Sequence, residues 1–393
     1  MEAPSDARSS RSASLARHLL GVTGLIAIST PLFAGAVLNV DSLETNSGIA
    51  LPTPRVSLEF PAELAEWLGE NAAFKPQAVR LDGWIDRRVF RETPAAGTAS
   101  PRVEYGSNGV MFIVDAFNEA CSPHINTADL VKQVFSLGNV IQDSGRDFWF
   151  VVSPDKSSIL QEFLPEAHPL YSCFMAYNTD LWQQLALSDI PGFIDLHAEL
   201  SDARIERREL LYKKRDTHWD DAGAAVASRA VLEAITPGIW NDDHLEFTGV
   251  TEYSGDLNTL AGETEIDTSP SYYLGRLGVE AVLTEGLPGE GMEGTRNYRT
   301  VHSSSQEPLI PGRTVIFGDS FSEIAERFFV TFFEDVSIMR LAEFNNQNYL
   351  DLIRSADRVI VWSVERSLPY RVAYDWGRVE FADLLEQYLA EEG

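Results

Sequence analysis

RTVIFGDSFSEIAERFF, residues 313–329, is the stretch on which the fold turns. Thr314 to Phe317 is a short apolar run of the kind that makes a buried strand, and helical spacing resumes at about 323–331. Between them Gly318 permits a tight turn, and Asp319-Ser320 follows it. A serine at such a strand-to-helix turn stands at the carboxyl edge of the sheet, where α/β folds place their sites. Two readings of Ser320 are open. It is a nucleophile whose oxyanion would be met by backbone N–H groups at the helix start. Otherwise Ser320 to Glu323 is an S-x-x-E capping box that needs no chemistry.

Outward from this turn, Val336–Leu341 and Val359–Trp362 are further strand-like runs, and helical stretches at about 323–331 and 346–355 separate the three. Strands alternating with helices predict a parallel sheet in an α/β sandwich. Upstream, DFWFVV (147–152) ends at Ser153-Pro154 and suits a buried strand. YGSNGVMFIVDAF (105–117) reads as a turn followed by a strand, and AGAAVASRAVLEAI (222–235) as an alanine-rich helix. From Pro61 to Phe90 apolar residues recur at helical spacing. Residues 238–311 have little periodicity and many Gly, Ser and Thr, which predicts an irregular insertion.

The chain has 393 residues, 44% hydrophobic and 10% aromatic, enough for a large core and too apolar for a mainly disordered protein. A formal charge of -28 repels phosphate backbones, so no nucleic-acid partner is expected. Arg8, Arg11 and Arg17 precede LLGVTGLIAISTPLFAGAVL (19–38), a run long enough to cross roughly 30 Å of hydrocarbon. Arginines before it and acid after it predict an N-in, C-out orientation. The expected organisation is a cytoplasmic segment at 1–18, a transmembrane signal anchor at 19–38, a linker at 39–60 and one domain at 61–393. Ala34-Gly35-Ala36 leaves a cleaved signal peptide open as the alternative. Either way the domain is expected outside the cytoplasm, in the periplasm or extracellular space, and with the anchor retained it is held there as a single-pass cell-membrane protein. There Cys121 and Cys173 are one disulfide or two free thiols.

The second chemical candidate is Arg215-Asp216-Thr217-His218-Trp219. A nucleophilic serine needs a base, and that imidazole needs a carboxylate to fix its tautomer. Asp216 and His218, two apart, could supply both from one turn. Asp216, His218 and Asp220 also alternate in a way that could chelate, but no H-E-x-x-H or second His pair supports a metal. No G-x-G-x-x-G or P-loop is present either, so no cofactor is expected. Arg204, Arg207, Arg208, Lys213, Lys214 and Arg215 are a groove for an anionic polymer or a solvated basic face.

Taken together, these segments resemble the AlgX/AlgJ-type alginate O-acetyltransferases, an SGNH hydrolase-like family with a D-x-H-W signature. The resemblance runs through YGSNGVMFIV (105–114), VVSPDKSSIL (151–160), YKKRDTHWDDAGA (212–224), VIFGDSFSE (315–323) and Val364-Glu365-Arg366-Ser367-Leu368, in the family's order. It covers about residues 61 to 380. It implies a three-layer, flavodoxin-like SGNH sandwich, with Ser320 as nucleophile, His218 as base and Asp216 as the orienting acid. Gly318, Asp319, Arg340, Asn345 and Trp219 are the oxyanion and substrate candidates, and Lys156 is expected to be structural. The resemblance also implies an acetyl group passed from serine to a polysaccharide hydroxyl, with a membrane-bound O-acyltransferase partner as donor. A carbohydrate acetyl esterase with the same triad, and a non-catalytic glycan-binding or assembly subunit, are the alternatives.

Overall fold

The central strands alternate apolar side chains to both sides, and that alternation builds two cores on one sheet. The computed structural model describes residues 102–166, 168–276, 278–285, 298–341, 347–374 and 379–390. The expected anchor at 19–38, the linker and the helical stretch at 61–90 lie outside the described residues. Among the described residues no helix is long and apolar enough to cross a membrane.

Eleven strands are described: β1 Val103–Tyr105, β2 Met111–Ile113, β3 Asp147–Ser153, β4 Phe193–Asp195, β5 Leu245–Tyr253, β6 Asp267–Leu274, β7 Glu280–Glu285, β8 Tyr298–Ser304, β9 Ile310–Gly318, β10 Phe333–Arg340 and β11 Arg358–Val364. The main sheet has the order β4-β3-β11-β9-β10-β8-β7. Neighbours from β4 to β10 run parallel, while β8 pairs antiparallel with both β10 and β7. The sheet is therefore mixed, not parallel as the sequence led us to expect. The two antiparallel strands come from the stretch expected to be irregular. As outer strands, YRTVHSS and EAVLTE need less burial and carry polar residues, so they lack the continuous apolar signal of the central strands. The same stretch forms the separate β5–β6 hairpin.

The helices are α1 Val114–Cys121, α2 Thr127–Asp143, α3 Lys156–Ile159, α4 Tyr171–Ala186, α5 Leu196–Arg207, α6 Asp221–Ile235, α7 Asp256–Ala261, α8 Ser320–Ala325, α9 Gln347–Ser355, α10 Leu368–Tyr374 and α11 Val379–Ala390. On one face of the sheet Val151, Ile316, Ile360 and Trp362 pack with residues of α1, α5, α6 and α8. On the other, Phe150, Val315, Phe317, Val359 and Val361 pack with α2, α9, α10 and α11. Both faces being covered explains the unbroken apolar runs in β3, β9 and β11. Residues 105–117 hold the expected turn, Ser107–Gly109, followed by the strand β2, which pairs with β1 in a small separate hairpin; from Val114 the chain is helix and no longer strand. Cys121 and Cys173 are joined in a disulfide that ties the end of α1 to the first turn of α4.

Candidate active site

The turn after β9 is shaped by the close approach of the Ser322 side chain to Gly318. A Cβ on Gly318 would lie 1.9 Å from Ser322 Oγ, so only glycine fits. Helix α8 then starts with Asp319, not Ser320, as its cap: Asp319 Oδ1 accepts from Phe321 N–H at 3.0 Å. The second oxygen, Oδ2, accepts from Val364 N–H at 2.6 Å, which pins the turn to the end of β11. Burial pushes the Asp319 carboxyl up, against those two hydrogen bonds. The capping-box reading is thus answered locally. With Asp319 capping, the Ser320 hydroxyl is released from that task and meets His218 Nε2 at 2.8 Å.

His218 comes from the loop between α5 and α6. Tyr212 and Trp219 bridge its two ends, and Lys213 N–H donates to His218 O. Asp216 Oδ1 accepts from the His218 backbone N–H at 3.0 Å and lies 2.7 Å from Nδ1. A two-residue spacing lets one carboxylate oxygen hold both the backbone and the ring of the histidine. Burial pushes the Asp216 carboxyl up, but the hydrogen bonds and charge of His218 outweigh it and hold it down at about 2. The chain Ser320 Oγ–His218 Nε2, His218 Nδ1–Asp216 Oδ1 has the geometry of a nucleophile, its base and the group that orients the base.

Lys156 holds this loop from below. Only 3% exposed, its ammonium donates to Lys213 O at 3.1 Å, Lys214 O at 3.0 Å and Asp216 O at 2.6 Å. Burial brings it down to about 7, although the charges of Asp216 and Asp256 oppose the shift. Lys156 thus holds the loop through three backbone carbonyls. Beside it, Tyr212 OH donates to Pro154 O at 2.7 Å. Asp155 in turn bonds Arg366, and its N–H donates to Glu365 Oε2 at 3.0 Å. The S-P-D-K turn and the E-R ending after β11 are therefore one scaffold under the His–Asp loop.

The remaining sequence candidates separate. Trp219 is fully buried, 4.9 Å from Phe321 edge to face, and forms the floor of the site. Arg340 pairs in register with Gly318 at the same sheet edge, and its guanidinium is 3.8 Å from Glu323. Asn345 lies outside the described residues. Asp220 turns away from His218: it caps α6 by accepting from Gly223 N–H at 2.9 Å, and burial pushes its carboxyl up to about 6. The chelating set Asp216, His218 and Asp220 is accordingly not assembled. Two members of the basic run are paired with acidic groups. Arg204 pairs with Glu162, and Arg215 is buried against Glu263 and Glu265.

Sequence reasoning missed Gly255 and Asp256. A Cβ on Gly255 would lie 1.8 Å from Arg215 O, so the chain before α7 passes against the loop at backbone distance. Asp256 N–H then donates to Asp216 Oδ2 at 3.2 Å. Asp216, His218 and Asp256 bring their side-chain atoms within 4.8 Å of one another. The described hydrogen bonds already engage these atoms with each other and with Thr217, which accounts for the cluster without an ion. Ser254-Gly255-Asp256 before a short apolar LNTLA was the local signal for a helix start. Nothing in it points to residue 216.

Residues 103–290 match the family described as the SGNH hydrolase-like domain of acetyltransferase AlgX. That segment includes Asp216 and His218. A curated relative, the probable alginate O-acetylase AlgJ of Pseudomonas putida, is 23% identical over 202 residues, covering 48% of this chain and 49% of the relative. The chain thus spans about half the length of the curated relative it matches. Among solved structures, the O-acetyltransferase domain of Pseudomonas putida AlgJ is similar at 18% identity and TM-score 0.43, over 73% of this chain and 99% of that one. Pseudomonas aeruginosa AlgX is similar at 13% identity and TM-score 0.46, over 76% and 68% respectively. The protein carries an SGNH hydrolase-like α/β domain. Within that class its likeness is to the AlgX/AlgJ type.

Proposed function

We propose that this protein is an O-acetyltransferase working through a serine acyl-enzyme, and that its acceptor is a hydroxyl of an exported or cell-surface polysaccharide. The observation that carries this is the continuous contact from Ser320 Oγ through His218 to Asp216, at 2.8 and 2.7 Å. Ser320 Oγ attacks the acetyl carbonyl while His218 Nε2 takes its proton. The tetrahedral intermediate collapses, the donor's leaving oxygen departs with that proton, and acetyl remains on Ser320. An acceptor hydroxyl then gives its proton to Nε2 and attacks the ester, and Ser320 recovers its proton as the product leaves. The Ser320 backbone N–H is our assignment for the first oxyanion donor, with Arg340 at the neighbouring strand end as the second. Asp216, held as a carboxylate, keeps Nδ1 protonated and stabilises the imidazolium.

The likeness to alginate acetylases supports polysaccharide as the acceptor class. The apolar run at 19–38 with arginines before it supports an anchored domain outside the cytoplasm, taking acetyl from a membrane-bound O-acyltransferase. The test gives the full-length protein an activated acetyl ester with and without oligosaccharide. Intact mass and peptide mapping should find acetyl on Ser320, and sugar should gain acetyl at the expense of acetate release. Acetate release unaffected by any sugar identifies an esterase instead. Unchanged labelling in Ser320→Ala refutes the serine mechanism.

A further inference from the structure

Asp256 touches every residue of the D-T-H segment, yet it lies in a different element 40 residues downstream. Its N–H donates to Asp216 Oδ2. Its Oδ1 accepts from Thr217 N–H at 2.8 Å, and its Oδ2 accepts from Thr217 Oγ1 at 2.5 Å. Because that hydroxyl gives its only proton to Asp256, it can only accept towards His218 Nδ1, which stands 3.2 Å away. Asp256 Oδ2 itself is 3.7 Å from Nδ1. The ring N–H therefore faces one carboxylate directly, a second within ion-pair range, and a hydroxyl polarised by that second carboxylate.

We propose that Asp256 is a positioning residue for the His–Asp pair, fixing the ring of His218 through Thr217 and supplying a second negative charge opposite Nδ1. This rests on the reading of Ser320, His218 and Asp216 given above. The charge matters when His218 carries the proton taken from Ser320, because the imidazolium is then the species being stabilised. Other charged groups bear on the same locus from every side. Lys213 acts on Asp216 from its own loop. Lys156 couples to both carboxylates from the turn after β3. Asp319, at the cap of α8, feels His218 and Arg366, and the Arg366 guanidinium also couples to Asp256 from beyond β11. Among these, Asp256 is the group in direct contact with Thr217.

The test uses full-length protein labelled with 15N-histidine, without substrate, alongside acetyl-transfer kinetics. In Asp256→Asn the His218 ring should take its second proton at a lower pH than in the wild type. Its kcat should fall about tenfold with KM nearly unchanged, equivalent to ~1.4 kcal/mol in the barrier. Asp256→Glu keeps the charge and should hold the ring titration near wild type. An unmoved titration in Asp256→Asn, or an equal movement in Asp256→Glu, overturns the proposal. Should Asp256→Asn not fold, Thr217→Val carries the kinetic test, and a wild-type kcat there overturns the proposal as well. The ring titration needs no turnover, so its outcome is separate from whether the protein transfers acetyl.

Discussion

Two loops meet at the site, and they are held in opposite ways. The turn carrying Ser320 is largely specified by its own strand and helix: Gly318 makes room, Asp319 caps α8, and one bond to Val364 anchors it. The loop carrying Asp216 and His218 is specified from outside. Lys156 holds three of its carbonyls, Tyr212 ties its start to Pro154, and Gly255-Asp256 close over it from the hairpin region. A nucleophile needs one hydroxyl at a rigid edge, and a strand-to-helix turn provides that. A base must keep one ring orientation while its charge changes, so its support comes from several elements.

That contrast can be broken or sharpened by substitution. The largest effect is expected where the two loops touch: Ser320→Ala or His218→Ala should lower acetyl transfer by at least about 10⁴-fold, measured as single-turnover rates. The double variant should be hardly worse than either single one; additive losses would mean that the two residues do not act together. Next, Gly255→Ala places a methyl against Arg215 O. Displacing the loop by about an ångström should cost roughly 10²-fold in kcat, with the Ser320 turn unaffected. A wild-type rate would show that the outside clamp is dispensable.

Lys156 gives a stability effect with a defined sign. Burial lowers it from 10.5 to about 7, so between those values the unfolded chain binds the additional proton. Stability should therefore rise with pH across that window, by at most ~1.4 kcal/mol per unit from this group. Lys156→Met should remove that slope in urea unfolding at pH 7 to 9, while losing activity through the freed carbonyls. A variant that keeps the wild-type slope contradicts the assignment. The smallest effect belongs to the self-supporting turn: Asp319→Ala should cost about 1–2 kcal/mol in thermal unfolding through loss of the cap and the Val364 bond. A loss several times larger would show that this turn also leans on the rest of the molecule.

Much of this was legible in the chain. The strand before Gly318, the helix after Asp220 and the pairing of Asp216 with His218 follow from apolar runs and spacing, which are local properties. Ser320 could be read as nucleophile or as cap, and the structure gives the cap to its neighbour: an aspartate at 319 is at least as good a cap as a serine. The hairpin and the antiparallel strands within 238–311 were not legible, because half-exposed strands show no continuous apolar run. Asp256 was invisible for a different reason. Its role depends on where Gly255 lets two distant backbones touch, and no periodicity encodes that.

The place of β11 has a consequence for how the protein is made. β11 lies between β3 and β9 and is the last of the described strands in the chain. On one side of it stand β3 and β4, with the lysine turn beneath the histidine loop. On the other stand β9 and β10, with the serine turn. A nascent chain released at residue 357 would already contain Asp216, His218 and Ser320, but on two half-sheets with no strand between them. Joining Asp147 to Arg358 spans 211 residues, a closure that comes late and slowly in folding. Translation must therefore run past Asp216, His218 and Ser320 before β11 can complete the sheet that carries them, although β11 contributes none of the three.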